Sequence, residues 1–175
     1  MSPQAPVPEN EERRLAALQS FRILDSASEK AFDDITKLAA TVCETEISLL
    51  TFIDRDRQWI KSNAGLSMSE TTRDVAFCSH AIMQPGLFEV EDALHDERFA
   101  KNPLVTGEPH IRFYAGMPLF TQSGEALGTL CVIDRKAKQL TPEQRNRLKT
   151  LAQMAMLLLE VRKSHGKDRP GAAGV

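Results

Sequence analysis

Residues 110–135 read HIRFYAGMPLFTQSGEALGTLCVIDR, and the fold turns on them. Two β-rich runs, 111–121 and 126–134, flank the turn formers Gln122, Ser123, Gly124 and Glu125, so the stretch reads as a long antiparallel hairpin. The second run, LGTLCVI, is apolar without alternation, the pattern of a central strand covered on both faces. In the first run, alternation puts residues 112, 114, 116 and 118 on one face. That face carries the Arg112 guanidinium and the Tyr114 phenol beside Gly116. Under a cover it would be a pocket floor.

Working upstream, EISLLTFID and RQWIKSNAG flank a tight Arg55-Asp56 turn and predict a first hairpin, with Trp59 on its second strand. A polar stretch, 65–74, reads as a loop, 76–83 as a short helix stopped by Gln84-Pro85-Gly86, and 87–91 as a short strand. Residues 92–109 hold two prolines and a glycine and form a long irregular crossover into the hairpin, a lid candidate. Nearer the start, helical spacing predicts a helix over about 11–25. Ser26-Ala-Ser-Glu29 has the form of a capping box for a second helix over 26–44, with an apolar stripe of Phe32, Ile35, Leu38, Ala39, Val42 and Cys43. Asp33 and Asp34 fall on its solvated face.

Downstream, Thr141-Pro142-Glu143-Gln144 combines a Thr N-cap, Pro at the first position and a Gln that completes the box, so a helix over 141–163 is expected. Its apolar residues, from Leu148 to Val161, span roughly 260°, far more than the roughly 100° one core face requires. Either this helix is sandwiched between its own domain and the first helix, or it also packs against a second copy of the chain in a helical bundle. Residues 1–10, with three prolines, predict a disordered arm; 164–175 predict a flexible tail; 11–163 form one domain.

The chain has 175 residues, 42% of them apolar, and a net charge of −2, enough for one sizeable core and without the basic footprint that nucleic acid or anionic lipid attracts. No apolar run approaches the roughly 20 residues of a membrane helix, and no signal-peptide pattern opens the sequence, so a cytoplasmic location is expected. The three cysteines, Cys43, Cys78 and Cys131, lie 35 and 53 residues apart with no zinc spacing. Cys43, on a helix stripe, and Cys131, in the central strand, read as inert small hydrophobes. No metal site, catalytic triad or phosphate loop can be assembled from local motifs.

GEPHIRFYAGMPLFTQSGEALGTLCVID closely resembles the signature strand pair of GAF domains, the small-molecule sensor modules of bacterial signalling proteins. RQWIKSNAGL, RDVAFCSHAI and DERFAKNPLVTG supply further matches in the same order, so the resemblance covers about 14–162. It implies an α/β (α+β) fold: an antiparallel sheet of about six strands in the order 2-1-5-4-3-6, the terminal helices on one face, short helices and loops over the other. It also implies a homodimer formed through those helices. Bilin-binding members attach their chromophore to a cysteine in the segment that here reads FAKNPLVTGEPH, which has none, so no covalent bilin is expected. The cyclic-nucleotide signature is absent, with Asn102 and Phe99 in the wrong order and no acid pair, so that ligand is unsupported. The compact cysteine set of the methionine sulfoxide reductases is also missing.

The candidate ligand contacts are Trp59, Phe77, Cys78, His80, Phe99, Arg112 and Tyr114. Each has a structural reading beside the functional one. Cys78 and His80, at i and i+2, do not share a helix face and could simply wall a pocket. Arg112 and Tyr114 would suit a carboxylate or phosphate, or Arg112 could pair with Glu108, Asp92 or Asp96 to hold the crossover down. Phe99 could be a loop anchor and Trp59 a sheet cover. Three functions follow: a non-catalytic sensor that binds a small molecule between sheet and loops, a ligand-free dimerisation module whose pocket is filled by Phe77, Met83, Phe99, Phe113 and Tyr114, and a redox protein using Cys78. In the first two, output would pass to a kinase, cyclase or other partner, as in two-component signalling.

Overall fold

The computed structural model describes residues 3–168. Helices α1 (Glu11–Ser20) and α2 (Lys30–Cys43) precede strands β1 (Ile47–Ile53), β2 (Arg57–Ala64) and β3 (Glu70–Thr72). Then come a short helix α3 (Phe77–Ala81), β4 (Phe88–Val90), a single-turn helix α4 (Pro103–Thr106), the hairpin β5 (Phe113–Phe120) and β6 (Ala126–Asp134), and the long α5 (Pro142–Asp168). All strand pairs are antiparallel, in the order β3-β2-β1-β6-β5-β4. The five strands anticipated from the sequence thus run 2-1-5-4-3 as expected. The sixth is Glu70–Thr72, outside β2 at the opposite edge from the one expected, within a stretch read as loop. Its Glu-Thr-Thr sequence gives no apolar signal because an edge strand needs none.

The sheet separates two apolar layers, and period-2 alternation distributes residues between them. On β6, Leu130 and Val132 join Phe52, Phe113, Leu119, Phe32 and Leu148 under α1, α2 and α5. Cys131 and Ile133 join Leu49, Tyr114, Phe77 and Phe99 under α3, α4 and the crossover. Every residue of β6 is buried, which is why its sequence shows no polar face.

The first two helices each differ from expectation at one boundary. The first helix ends at Ser20 rather than Asp25, because Arg22 and Asp25 take positive φ (51° and 61°) to turn the chain. The capping box at Ser26 does not form, and the second helix starts at Lys30 with no side-chain cap. Ser26 Oγ instead donates to the Ile23 carbonyl (2.5 Å) and accepts from Lys61 Nζ (2.8 Å). The Lys61 side chain is fully buried on β2, and it also donates to the Ala27 carbonyl and to Glu29 Oε2 (2.6 Å). A buried ammonium without acceptors costs far more than helix-end amides left to water, so Lys61 takes the groups the cap would have used. Asp33 is half-buried rather than fully solvated, and it accepts from Ser62 Oγ at 2.5 Å.

The third boundary holds at its start: Thr141 and Gln144 exchange side-chain to backbone bonds of 3.1 and 2.9 Å, a completed box. Its end runs past Lys163, so residues 164–168 are helical rather than tail, and 169–175 lie outside the described residues, as do Met1 and Ser2. Ahead of α1, Gln4, Ala5 and Val7 lie along Arg55, Asp56, Arg73 and Asp74. Helix α1 is anchored by Arg14, fully buried, which donates to the Ile53 and Ala126 carbonyls (2.7 and 3.3 Å) and forks onto Glu11.

Candidate functional site

Four of the seven residues singled out in the sequence meet under the crossover. Phe77 and Phe99 stack with ring centroids 4.0 Å apart, and Phe77 lies 5.3 Å from the fully buried Tyr114. Cys78 completes the group, accepting from Tyr114 Oη at 3.1 Å and from Thr129 Oγ1 at 3.0 Å. His80 stands at its margin, half-buried, its ring 4.7 Å edge-on to Phe99. Burial, and then the nearby Arg98 guanidinium, hold its pKa below the ordinary imidazole value. Arg98 itself covers Phe88 and Phe99 at 5.0 and 5.4 Å.

The remaining two residues play other parts. Trp59 points through the other face of the sheet, 6.4 Å from Phe52 in the helix-side core, so it cannot cover a ligand beneath the crossover. Arg112 falls just before β5 and donates to the Val105 (2.9 Å) and Ile111 (3.0 Å) carbonyls, with no carboxylate in ion-pair reach among the described residues. It does hold the crossover down, through carbonyls rather than acids.

Around the Cys78 sulfur the chain has gathered hydroxyls and a second thiol. Thr51 and Thr129, paired across β1 and β6, lie 3.2 Å apart, and the Cys131 thiol neighbours Cys78 on the same face. Burial pushes the Cys78 thiol up, but the polar groups gathered around it, the neighbouring Cys131 thiol, the Thr129 and Thr51 hydroxyls and the Tyr114 phenol, outweigh it and bring it down to about 7. Burial and the adjacent sulfur push Tyr114 up, so its phenol stays protonated and remains a donor. Cys43, in the other layer, has no such donors and is pushed up to about 11 by burial. Cys131 is therefore part of the cluster, not an isolated hydrophobe. Alternation along β6 could have placed it opposite Leu130, but its meeting with Cys78 is non-local and left no sequence signal.

Little space remains. A cavity of about 20 Å³ lies between Leu66, Met68, Phe77, Cys78, Gln58 and Pro109, room for about one water. Gln58, 4% exposed, donates to Thr71 Oγ1 (3.2 Å) while its Oε1 has no hydrogen-bond partner among the described residues. Among the described residues no three His, Cys, Asp or Glu side chains gather as a metal site, and no helix is long and apolar enough to cross a membrane.

Two wider concavities flank α5. One of about 490 Å³ lies between Phe32 and Arg22 on one side and Leu158, Val161 and Arg162 on the other. A second, of about 370 Å³, is lined by Met117, Pro118, Phe120, Met156 and Leu157. Between them Met154, Leu157 and Val161 are 46%, 66% and 51% exposed, whereas Leu151 is in the core.

The profile of a family described as GAF domain matches residues 28–159. Over 133 residues, 76% of it, the chain is 44% identical to a cyclic di-GMP phosphodiesterase of Pseudomonas aeruginosa, and it spans 23% of that relative's length. Among solved structures it resembles the GAF domain of a phosphoenolpyruvate-protein phosphotransferase from Coxiella burnetii (TM-score 0.67, 15% identity, covering 90% of this chain and 97% of that one). A type II free methionine-R-sulfoxide reductase from Thermoplasma acidophilum is similar in fold (TM-score 0.62, 13% identity, 82% and 96% covered).

Proposed function

This chain belongs to the GAF domain family, a family of signalling and sensory domains, and we propose that it is a non-catalytic regulatory module that pairs with a second copy through α5. The observation that carries this reading is the uncovered apolar stripe of that helix. At 100° per residue, Leu148, Leu151, Ala152, Ala155 and Leu159 fall within roughly 100° of arc and are buried on the sheet. Met154, Leu157 and Val161 fall within another arc of roughly 60° on the far side, at the three-and-four spacing of a helix-pair seam, with the half-buried Leu158 at its edge against the domain's own core. One helix with two apolar arcs needs two partners, and its own domain supplies one. The pocket under the crossover is filled by Phe77, Phe99 and Tyr114, which favours regulation through helix packing over ligand capture.

Output would then be a shift in how two α5 helices register, passed to a catalytic unit. The relative's name makes cyclic di-GMP hydrolysis the output we assign. Sedimentation of the purified chain tests the pairing: a dimer is expected, and Leu157→Glu, at an exposed position, should give a folded monomer. A wild-type monomer at tens of micromolar would remove the proposal. Leu151→Ala, by contrast, would test core packing and not assembly.

A second reading, small-molecule sensing beneath the crossover, is favoured by the unpartnered Gln58 Oε1, an acceptor waiting in an apolar cavity. The crossover would have to open for a ligand the size of a nucleotide or an amino acid. A thermal-shift screen with nucleotides and amino acids that raises the melting temperature would favour it over the filled module.

A further inference from the structure

Cys78 and Cys131 sit together in the middle of an apolar layer, and the groups around them are not those of two inert core thiols. A packed hydrophobic site would surround sulfur with carbon. Here Tyr114 Oη and Thr129 Oγ1 both aim at Cys78 Sγ, at 3.1 and 3.0 Å, and Thr51 Oγ1 stands 3.2 Å behind Thr129. Because one hydroxyl hydrogen serves one bond, Thr129 donating to sulfur leaves Thr51 to donate to Thr129, a relay of donors that ends on Cys78. Gly116 makes the arrangement possible: any β-carbon there would stand 2.2 Å from Tyr114 Oη. The fold therefore devotes a glycine, a buried phenol and two buried threonines to donating toward one sulfur.

Such a set stabilises negative charge on Cys78, and the charged form is the nucleophile. The cavity of about 20 Å³ touches Cys78 and admits a molecule near the size of water. It is lined on one side by the half-buried Leu66 and Met68 of the β2–β3 loop.

From this placement we infer that Cys78 is a peroxide-reactive thiol and Cys131 its resolving partner, forming an intramolecular disulfide between α3 and β6. In the first step the Cys78 thiolate attacks one oxygen of hydrogen peroxide. The O–O bond breaks, the leaving hydroxide takes a proton to become water, and Cys78 becomes a sulfenic acid. In the second, the Cys131 sulfur attacks the Cys78 sulfur, the S–O bond breaks, and the sulfenic oxygen leaves as water with the Cys131 proton. Two thiols lose two electrons in all, and one peroxide is reduced to two waters. The inference does not depend on how α5 pairs, since the cysteines lie in the opposite layer.

Cys43 is the internal control, buried in the helix-side layer without donors. The intact chain is treated with hydrogen peroxide for increasing times, quenched, alkylated and mapped by mass spectrometry. Cys78 is expected to oxidise more than about tenfold faster than Cys43 and to be recovered bonded to Cys131. In Cys131→Ser the same treatment should leave Cys78 as a sulfenic acid captured by dimedone. Equal rates at Cys78 and Cys43, or rapid oxidation of Cys78 with Cys131 left free in the wild type, would overturn the assignment. The wild-type map decides the question even if the variant fails to fold.

Discussion

The phenolic oxygen of Tyr114 occupies the space that a side chain on Gly116 would need, 2.2 Å from where its β-carbon would stand, with the ring atoms Cζ and Cε1 at 2.7 and 2.9 Å. Two residues apart on one strand face, they form a lock and its clearance. Gly116→Ala must displace a phenol that is fully buried and bound to Cys78, so a loss of about 2–3 kcal/mol is expected in urea unfolding. Tyr114→Phe removes the closest atom but not the ring. The double variant should therefore recover part of the Gly116→Ala cost, a negative coupling in the cycle. Full additivity would place the phenol elsewhere.

A second prediction concerns acid. Glu11 is half-buried beside two guanidiniums: burial raises its pKa, but hydrogen bonds and charge from Arg14 and Arg73 prevail and lower it to about 2. A carboxylate whose folded pKa lies below its usual 4.5 stabilises the fold fully above that value, and the contribution is lost as pH falls toward 2. The melting temperature should thus decline from about pH 4.5 downward, and Glu11→Gln should flatten that limb. Arg14→Met, which also abandons the Ile53 and Ala126 carbonyls, should cost on the order of 3 kcal/mol at neutral pH.

These anchors show where the sequence could and could not be read. The hairpin of β5 and β6, the paired β1 and β2, and the α5 cap were all legible, because alternation, unbroken apolarity and a Thr-Pro-Glu-Gln start are local signals. Strand β3 was not, since Glu70–Thr72 lies at an exposed edge and its pairing is decided by β2. The failed box at Ser26 was a local signal overruled by a distant cation, Lys61, 35 residues away. The site was legible as far as Phe77, Cys78, Phe99 and Tyr114. Trp59 pairs with Phe52 in the regular part of the β1–β2 ladder and faces the helix side, and because β2 is buried on both faces over most of its length, no polar alternation told the two sides apart.

Gln58 gives a third prediction. Its Oε1 is buried without a partner, and its amide bond to Thr71 is long, at 3.2 Å, while the Thr71 hydroxyl has the Thr72 carbonyl as its own acceptor. Gln58→Met keeps the volume and removes the orphan, so stability should be unchanged or raised by up to about 1 kcal/mol. A clear loss would mean that a water fills the cavity and bonds Oε1, a result that high-resolution diffraction would display directly.

The last prediction follows from Glu29, which joins three parts of the fold. Its Oε2 accepts from Lys61 on β2 (2.6 Å) and from Arg162 on α5 (2.9 Å), while Arg162 also donates to the Phe21 and Arg22 carbonyls (3.0 and 3.1 Å) in the α1–α2 link. Burial raises the Glu29 pKa, yet the bonds from Lys61 and Arg162 prevail and lower it. The two cations differ in what they lose without the carboxylate. Lys61 is fully buried and would be left with neutral acceptors alone, whereas Arg162 is partly exposed and can turn to water. Glu29→Gln should therefore cost on the order of 3 kcal/mol and Arg162→Ala only about 1. Arg162→Ala should also loosen the C-terminal half of α5 from the α1–α2 link, read as faster amide exchange at residues 158–163 with β2 unchanged. Equal costs for the two variants would shift the weight of this junction from the buried lysine to the helix, and with it the route by which movement of α5 reaches the sheet.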